Sequence, residues 1–82
     1  MAKRRRAEVA AARINQVRLR REMASRGWNA CDLARLAGVS PATLTAALKG
    51  TPVSPRTVRK IAVAIARTPA IPEAVELLEE RG

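Results

Sequence analysis

Histidine, tyrosine and phenylalanine are missing from this 82-residue sequence, and cysteine and tryptophan occur once each. Without His there is no imidazole base. No acidic pair stands outside the C-terminal tail, and no cluster has metal-ligand spacing. The expectation is a chain that is not an enzyme and takes neither metal nor cofactor. Cys31 has no second thiol for an internal disulfide, which fits a reducing cytoplasm, and no His to activate it, so it reads as a buried small residue. Trp28 is expected to plug the core, because single-stranded nucleic acid and RNA are held on several stacking aromatics rather than one. Long apolar runs are also lacking. The longest, "IAVAIA" at Ile61–Ala66, falls far short of the ~20 residues of a membrane span, so no membrane partner is expected.

What is present is positive charge, unevenly spread. Lys and Arg total 16 against 7 Asp and Glu, a formal net charge of +9. Residues 1–26 hold nine basic and two acidic side chains, whereas residues 70–82 hold one and four. A basic front and an acidic tail point to a polyanionic partner at one end only, with nucleic acid the first candidate and an anionic membrane surface the second. The Arg-rich start shares its composition with organelle transit peptides. The motifs behind it occupy the remaining length, so a basic arm at residues 1–7 is expected, followed by one domain over residues 8–82.

Helix punctuation is frequent. Asn29 can cap a helix with Asp32 at its third position, and Ser40-Pro41 and Ser54-Pro55 each pair a capping hydroxyl with a proline whose missing N–H costs nothing in a first turn. Pro72 and Glu73 open a last helix, and Gly27, Gly38 and Gly50 stand where helices would stop. Five helices follow, at about 8–26, 30–37, 41–49, 55–67 and 72–81, with no strand pattern anywhere. Spacing assigns the core to Leu19, Met23 and Trp28, then Leu33, Leu36 and Ala37, then Leu44, Ala47 and Leu48, and finally Val58, Ile61, Ala62 and Ile65.

The unit "LARLAGVSPATLTAALKG", Leu33–Gly50, carries the functional signal. Ala34 is small where two helices would cross, Gly38 four residues later permits a sharp turn, and Val39 fills the angle below it. Leu44 and Ala47 then anchor the second helix on the first. These are the packing requirements of a helix-turn-helix. The helix starts capped by Asn29, Ser40 and Ser54 present N–H groups to an anion, and Lys49, Thr51, Arg56 and one of Arg59 or Lys60 flank the same edge as phosphate contacts. The arm "KRRR", Lys3, Arg4, Arg5 and Arg6, either reads a groove by its width or adds only non-specific attraction.

Over Leu19–Ile65, in "REMASRGWNACDLARLAGVS", "PATLTAALKG" and "PVSPRTVRKIAVAIA", the sequence resembles the phage-repressor-like helix-turn-helix family (Cro and lambda repressor type, XRE-type). The same motifs are similar to the headpiece of LacI-type repressors, but those begin with the turn unit, whereas a helix and a basic arm precede it here. The resemblance implies a compact, all-α, five-helix lambda-repressor-like DNA-binding domain. Its helix-turn-helix would be helices two and three, with recognition helix 41–49 in the major groove. It further implies a dimeric, sequence-specific transcriptional regulator, usually a repressor, acting on double-stranded DNA in the cytoplasm, at the bacterial nucleoid or in a phage-infected host. Carried over by position, Pro41, Ala42, Thr43, Thr45 and Ala46 would face bases, and Lys49 would touch the backbone. Ala30 and Pro41 stand where members commonly place a phosphate-clamping Gln and a Gln, Arg or Ser. Base reading is thereby left to methyl contacts and threonine hydroxyls.

The last helix, "IPEAVELLEERG", aligns Ile71, Val75 and Leu78 as a candidate homodimer contact, with Ile14 and Val17 as a second. Two other readings stay open: an architectural or recombination accessory protein that binds DNA with little base reading, and an antitoxin-like protein-interaction module.

Overall fold

The computed structural model describes residues 11–78, and every residue in that span is helix, turn or extended connection. Five helices follow one another: α1 (Gln16–Ala24), α2 (Ala30–Ala37), α3 (Pro41–Leu48), α4 (Pro55–Arg67) and α5 (Pro72–Leu77). The all-α, five-helix expectation holds, and the second to fourth helices fall within one residue of the expected bounds.

The first helix is shorter than expected. Asn15 ends the run-in, its side chain accepting from the N–H of Arg18 at 2.9 Å, so α1 starts at Gln16 rather than residue 8. Residues 8–10 lie outside the described residues. Ahead of α1 the chain is extended, and Ala12 pairs with Val53 in an antiparallel bridge (N–H to O at 2.7 and 2.8 Å). The sequence carried no sign of this strand-like contact. At the other end α5 stops at Leu77, because Leu78 is already extended (φ −72°, ψ 137°). The last part of the expected 72–81 helix lies outside the described residues.

Packing is centred on α2. Leu33 and Leu44 are fully enclosed, Ala34 is 2% exposed at the crossing, and α3 and α4 both pack on α2 while α3 also touches α1. Burying each such leucine is worth ~1.5–3 kcal/mol. Several expected core positions shift. Leu36 is 51% exposed and Ala62 is exposed, whereas Val53 and Ala64 are buried along with the expected crossing residue Ala34, so the buried stripes of α2 and α4 are rotated from the core positions that spacing assigned. Cys31 is exposed, not buried. Trp28, Val58 and Ile65 are half-buried against the core.

Two arginines of the basic front are structural. The Arg20 Nη2 donates to the Leu48 carbonyl at the end of α3 (3.1 Å). Arg26, whose side chain is 8% exposed, donates to the carbonyls of Thr68 (2.6 Å), Ile65 (3.2 Å) and Glu22 (2.8 Å), to the Glu22 carboxylate (2.8 Å) and to the Ser25 hydroxyl (3.2 Å). It thereby closes the C-terminal end of α4, whose last carbonyls have no partner within the helix. The guanidinium also stands 5.6 Å from the centre of the Trp28 ring. The Arg26 hydrogen bond, aided by Arg18 and opposed by slight burial, holds the Glu22 carboxyl below its ordinary value of 4.5.

Candidate nucleic-acid interface

The turn between α2 and α3 is built as its residues require. Gly38 takes φ 73°, a left-handed conformation that costs other L-residues ~1–2 kcal/mol, and its N–H bonds the Arg35 carbonyl (3.2 Å) while that of Val39 bonds Ala34 (3.0 Å). Val39 then packs half-buried on the core, and Ser40 opens α3. Within α3, Leu44, Ala47 and Leu48 are buried, which leaves Ala42, Thr45, Ala46 and Lys49 on the opposite side. Pro41, Ala42, Thr45 and Lys49 are exposed, and Thr43 and Ala46 are half-buried.

The starts of α3 and α4 are the same device used twice, Ser-Pro-x-Thr. In each, the serine Oγ accepts the N–H of the threonine three residues on (Thr43 at 3.0 Å, Thr57 at 3.1 Å) and also meets that threonine's hydroxyl (2.8 and 3.0 Å). Proline has no N–H to offer, so the first-turn donors left over are the N–H groups of Ala42 and Arg56. The hydrogen of Ser40 is spent on Thr43, whose own hydroxyl hydrogen stays available. Thr57 belongs to this arrangement and escaped the sequence reading, although the repeated S-P-x-T pattern contains it.

At the start of α2 the arrangement differs. Asn29 and Asp32 form the expected capping box (2.8 and 2.9 Å), but it fills the helix start with a carboxylate, which Arg35 approaches at 3.3 Å. That end is less suited to a phosphate than those of α3 and α4, which carry no acidic residue in their first turns. The Asn29 Oδ1 is engaged by Asp32, so what Asn29 offers a phosphate is its side-chain amide N–H.

Lys49, Thr51, Ser54 and Arg56 are exposed along the α3–α4 connection. Gln16 comes to the same connection: a methyl placed on Gly50 would lie 2.8 Å from the Gln16 Nε2. This exposed amide at the first position of α1 is a further candidate donor that sequence reasoning missed. The Ala12–Val53 bridge holds the run-in one residue from the Ser54 cap. The arm residues Lys3, Arg4, Arg5 and Arg6, and the 1–7 arm as a whole, lie outside the described residues.

Residues 18–70 match the model of the Cro/C1-type HTH DNA-binding domain family. The chain belongs to this family. No curated protein and no solved structure matches it. As a Cro/C1-type domain it is a DNA-binding helix-turn-helix of a non-catalytic family, and the match spans α2, α3 and α4 with most of α1. It stops at Ala70, so α5 lies beyond the part the family model accounts for. No helix among the described residues is long and apolar enough to cross a membrane, and no group of acidic, Cys or His side chains there could hold a metal.

Proposed function

We propose that this Cro/C1-type domain is a sequence-specific regulator of transcription that represses by occupying a double-stranded operator in the cytoplasm. The observation that carries the reading is the division of α3 into a buried face, Leu44, Ala47 and Leu48, and a free face of Ala42, Thr45, Ala46 and Lys49. In this proposal α3 lies in the major groove. The methyls of Ala42, Ala46 and Thr45 meet thymine methyls, the Thr43 hydroxyl donates to a base acceptor, and Pro41 rests against the groove wall. Phosphates are taken by the N–H groups of Ala42 and Arg56, by Lys49, Thr51 and the Arg56 side chain, and by the Asn29 amide. Ser40 and Ser54 shape these sites as caps. The arm Lys3–Arg6 supplies affinity and indirect readout.

Few strong base contacts per copy favour two half-sites and therefore a homodimer, with Ile71, Val75 and Leu78 of α5 as its contact region. Ile71 is 46% exposed, Val75 and Leu78 are half-buried, and the neighbouring Leu77 is 85% exposed. Light scattering that found only monomer, free and on DNA, would remove the dimer.

Selection from a random duplex pool tests the whole. A recovered motif bound at least ~10³-fold tighter than bulk DNA at fixed salt supports the regulator. Firm, steeply salt-dependent binding without a motif would replace it with the architectural reading, which the methyl-rich face of α3 favours.

A further inference from the structure

A second surface of the domain carries charge that no contact among the described residues uses. Between α2 and α4 runs a groove of about 450 Å³ whose floor includes Leu36 and Val63 and whose rim holds Arg56, Arg59, Lys60 and Arg67. Leu36 is 51% exposed there. None of the four cations has a carboxylate partner among the described residues, unlike Arg18, Arg26 and Arg35, which are paired. Arg56 stands in the first turn of α4 and Arg67 closes it, so the cations are spread along ~16 Å of helix at 1.5 Å per residue. DNA held at the start of α4 would leave the far end unused, and a phosphate backbone has no need of an apolar floor.

The complementary surface is α5. Glu73, Glu76 and Leu77 fall on one side of this helix at i, i+3 and i+4, and all three are exposed, Leu77 at 85%. Neither glutamate is paired with a cation among the described residues, and Glu79 and Glu80 follow in the sequence. An apolar knob flanked by carboxylates matches an apolar floor flanked by cations, and α5, at ~9 Å, is short enough to lie along it. Within its own chain α5 is held elsewhere, since the Ile71 N–H bonds the Ser25 carbonyl at the end of α1 (2.9 Å). The other groove, about 410 Å³ between α1 and α4, suits an acidic helix less well, because its rim already contains the Arg18–Glu22 pair.

We infer that α5 of one copy docks in the α2–α4 groove of a second copy, Leu77 on Leu36 and Val63, with Glu73 and Glu76 facing Arg59, Lys60 and Arg67. This rests on the proposal that copies associate through α5, moves the contact from the Ile71, Val75 and Leu78 side to the Glu73, Glu76 and Leu77 side, and specifies the surface that receives it. Reciprocal docking of two copies closes a twofold dimer.

The test is a charge swap on the full chain without DNA, read by sedimentation across a concentration series. The exposed Arg59→Glu/Arg67→Glu variant and the exposed Glu73→Arg/Glu76→Arg variant are each expected to associate at least ~10-fold more weakly than wild type, and wild-type association to weaken with salt. Mixed together they are expected to recover it, because each altered surface then meets its complement; helical circular dichroism checks that both are folded. A groove variant that associates like wild type overturns the inference in favour of an α5–α5 contact. Two variants that both weaken association but do not rescue each other overturn it as well. Loss of DNA affinity in the groove variant with association unchanged would assign the groove to DNA, whereas a wild type that stays monomeric removes the dimer reading itself.

Discussion

Replacing Arg26 by Met keeps the length and the aliphatic stem of the side chain while removing every hydrogen bond of its guanidinium. The carbonyls of Thr68 and Ile65, the carbonyl and carboxylate of Glu22 and the Ser25 hydroxyl each lose a donor. A buried acceptor left unsatisfied costs ~1–3 kcal/mol, and breaking a buried ion pair by removing one partner costs ~3–5 kcal/mol. Glu22 is 27% exposed and keeps Arg18 at 3.4 Å, so water and a second cation soften the ionic part. The expected destabilisation is ~3 kcal/mol, a large share of the ~4–12 kcal/mol a domain of this size possesses. Urea unfolding followed by helical circular dichroism should show the midpoint falling by ~2–3 M at an m-value of ~1 kcal/mol/M. Arg18→Met is the matched control: its side chain is 75% exposed, and its removal should cost under ~1 kcal/mol. Arg26→Lys should recover only part of the loss, because one ammonium cannot span carbonyls from α1 and α4 together. An Arg26→Met protein within ~1 kcal/mol of wild type would refute the assignment of Arg26 as the clasp between α1 and α4.

Other perturbations give equally definite expectations. The depressed Glu22 pKa contributes stability that is fully present above the ordinary value of 4.5 and is lost as pH falls below it, through the folded-state value. Acid titration of the wild type should therefore show a loss in that range that Glu22→Gln lacks. Gly38→Ala, at φ 73°, should cost ~1–2 kcal/mol in thermal unfolding although no neighbouring atom obstructs the methyl. Deleting residues 1–6 should weaken DNA binding more than Thr43→Ala does, measured by fluorescence anisotropy at one salt concentration; the reverse order would sink the proposed division between arm and recognition helix. If four to six phosphate contacts form, log K should fall against log salt with a slope of roughly −4 to −5.

The legible parts of this fold are those written in short-range chemistry. Ser-Pro, Asn-x-x-Asp and glycine stops mark α2, α3 and α4 because a cap is made by residues three apart. The start of α1 was obscured by good helix formers, Ala and Arg, running back from residue 15, so that Asn15 passed for an interior residue rather than the cap it is. Leu36 was misplaced in the core because helical spacing gives a stripe and not its rotation toward a neighbour, and α2 has neighbours on two sides; Ala34, read as the crossing residue, is buried there. Arg20 and Arg26 are indistinguishable in sequence from arginines that meet a polyanion. Only the fold shows that they turn back onto carbonyls 28 and 42 residues away. At the candidate interface, the caps Ser40 and Ser54 were legible and Thr57 could have been found from the repeated Ser-Pro-x-Thr, whereas Gln16 and the Ala12–Val53 anchor depend on contacts that leave no periodicity.

The stacking of Arg26 on Trp28 has a practical side. Trp28 is the sole aromatic of the chain, so all near-ultraviolet fluorescence arises from one indole placed against the joint where α1, the end of α4 and the run-in to α5 meet. The molecule thus carries its own optical gauge, tuned to that joint. Opening of the joint should alter the emission through loss of the cation over the ring, and a titration could follow α5 being drawn toward a second copy without any attached dye.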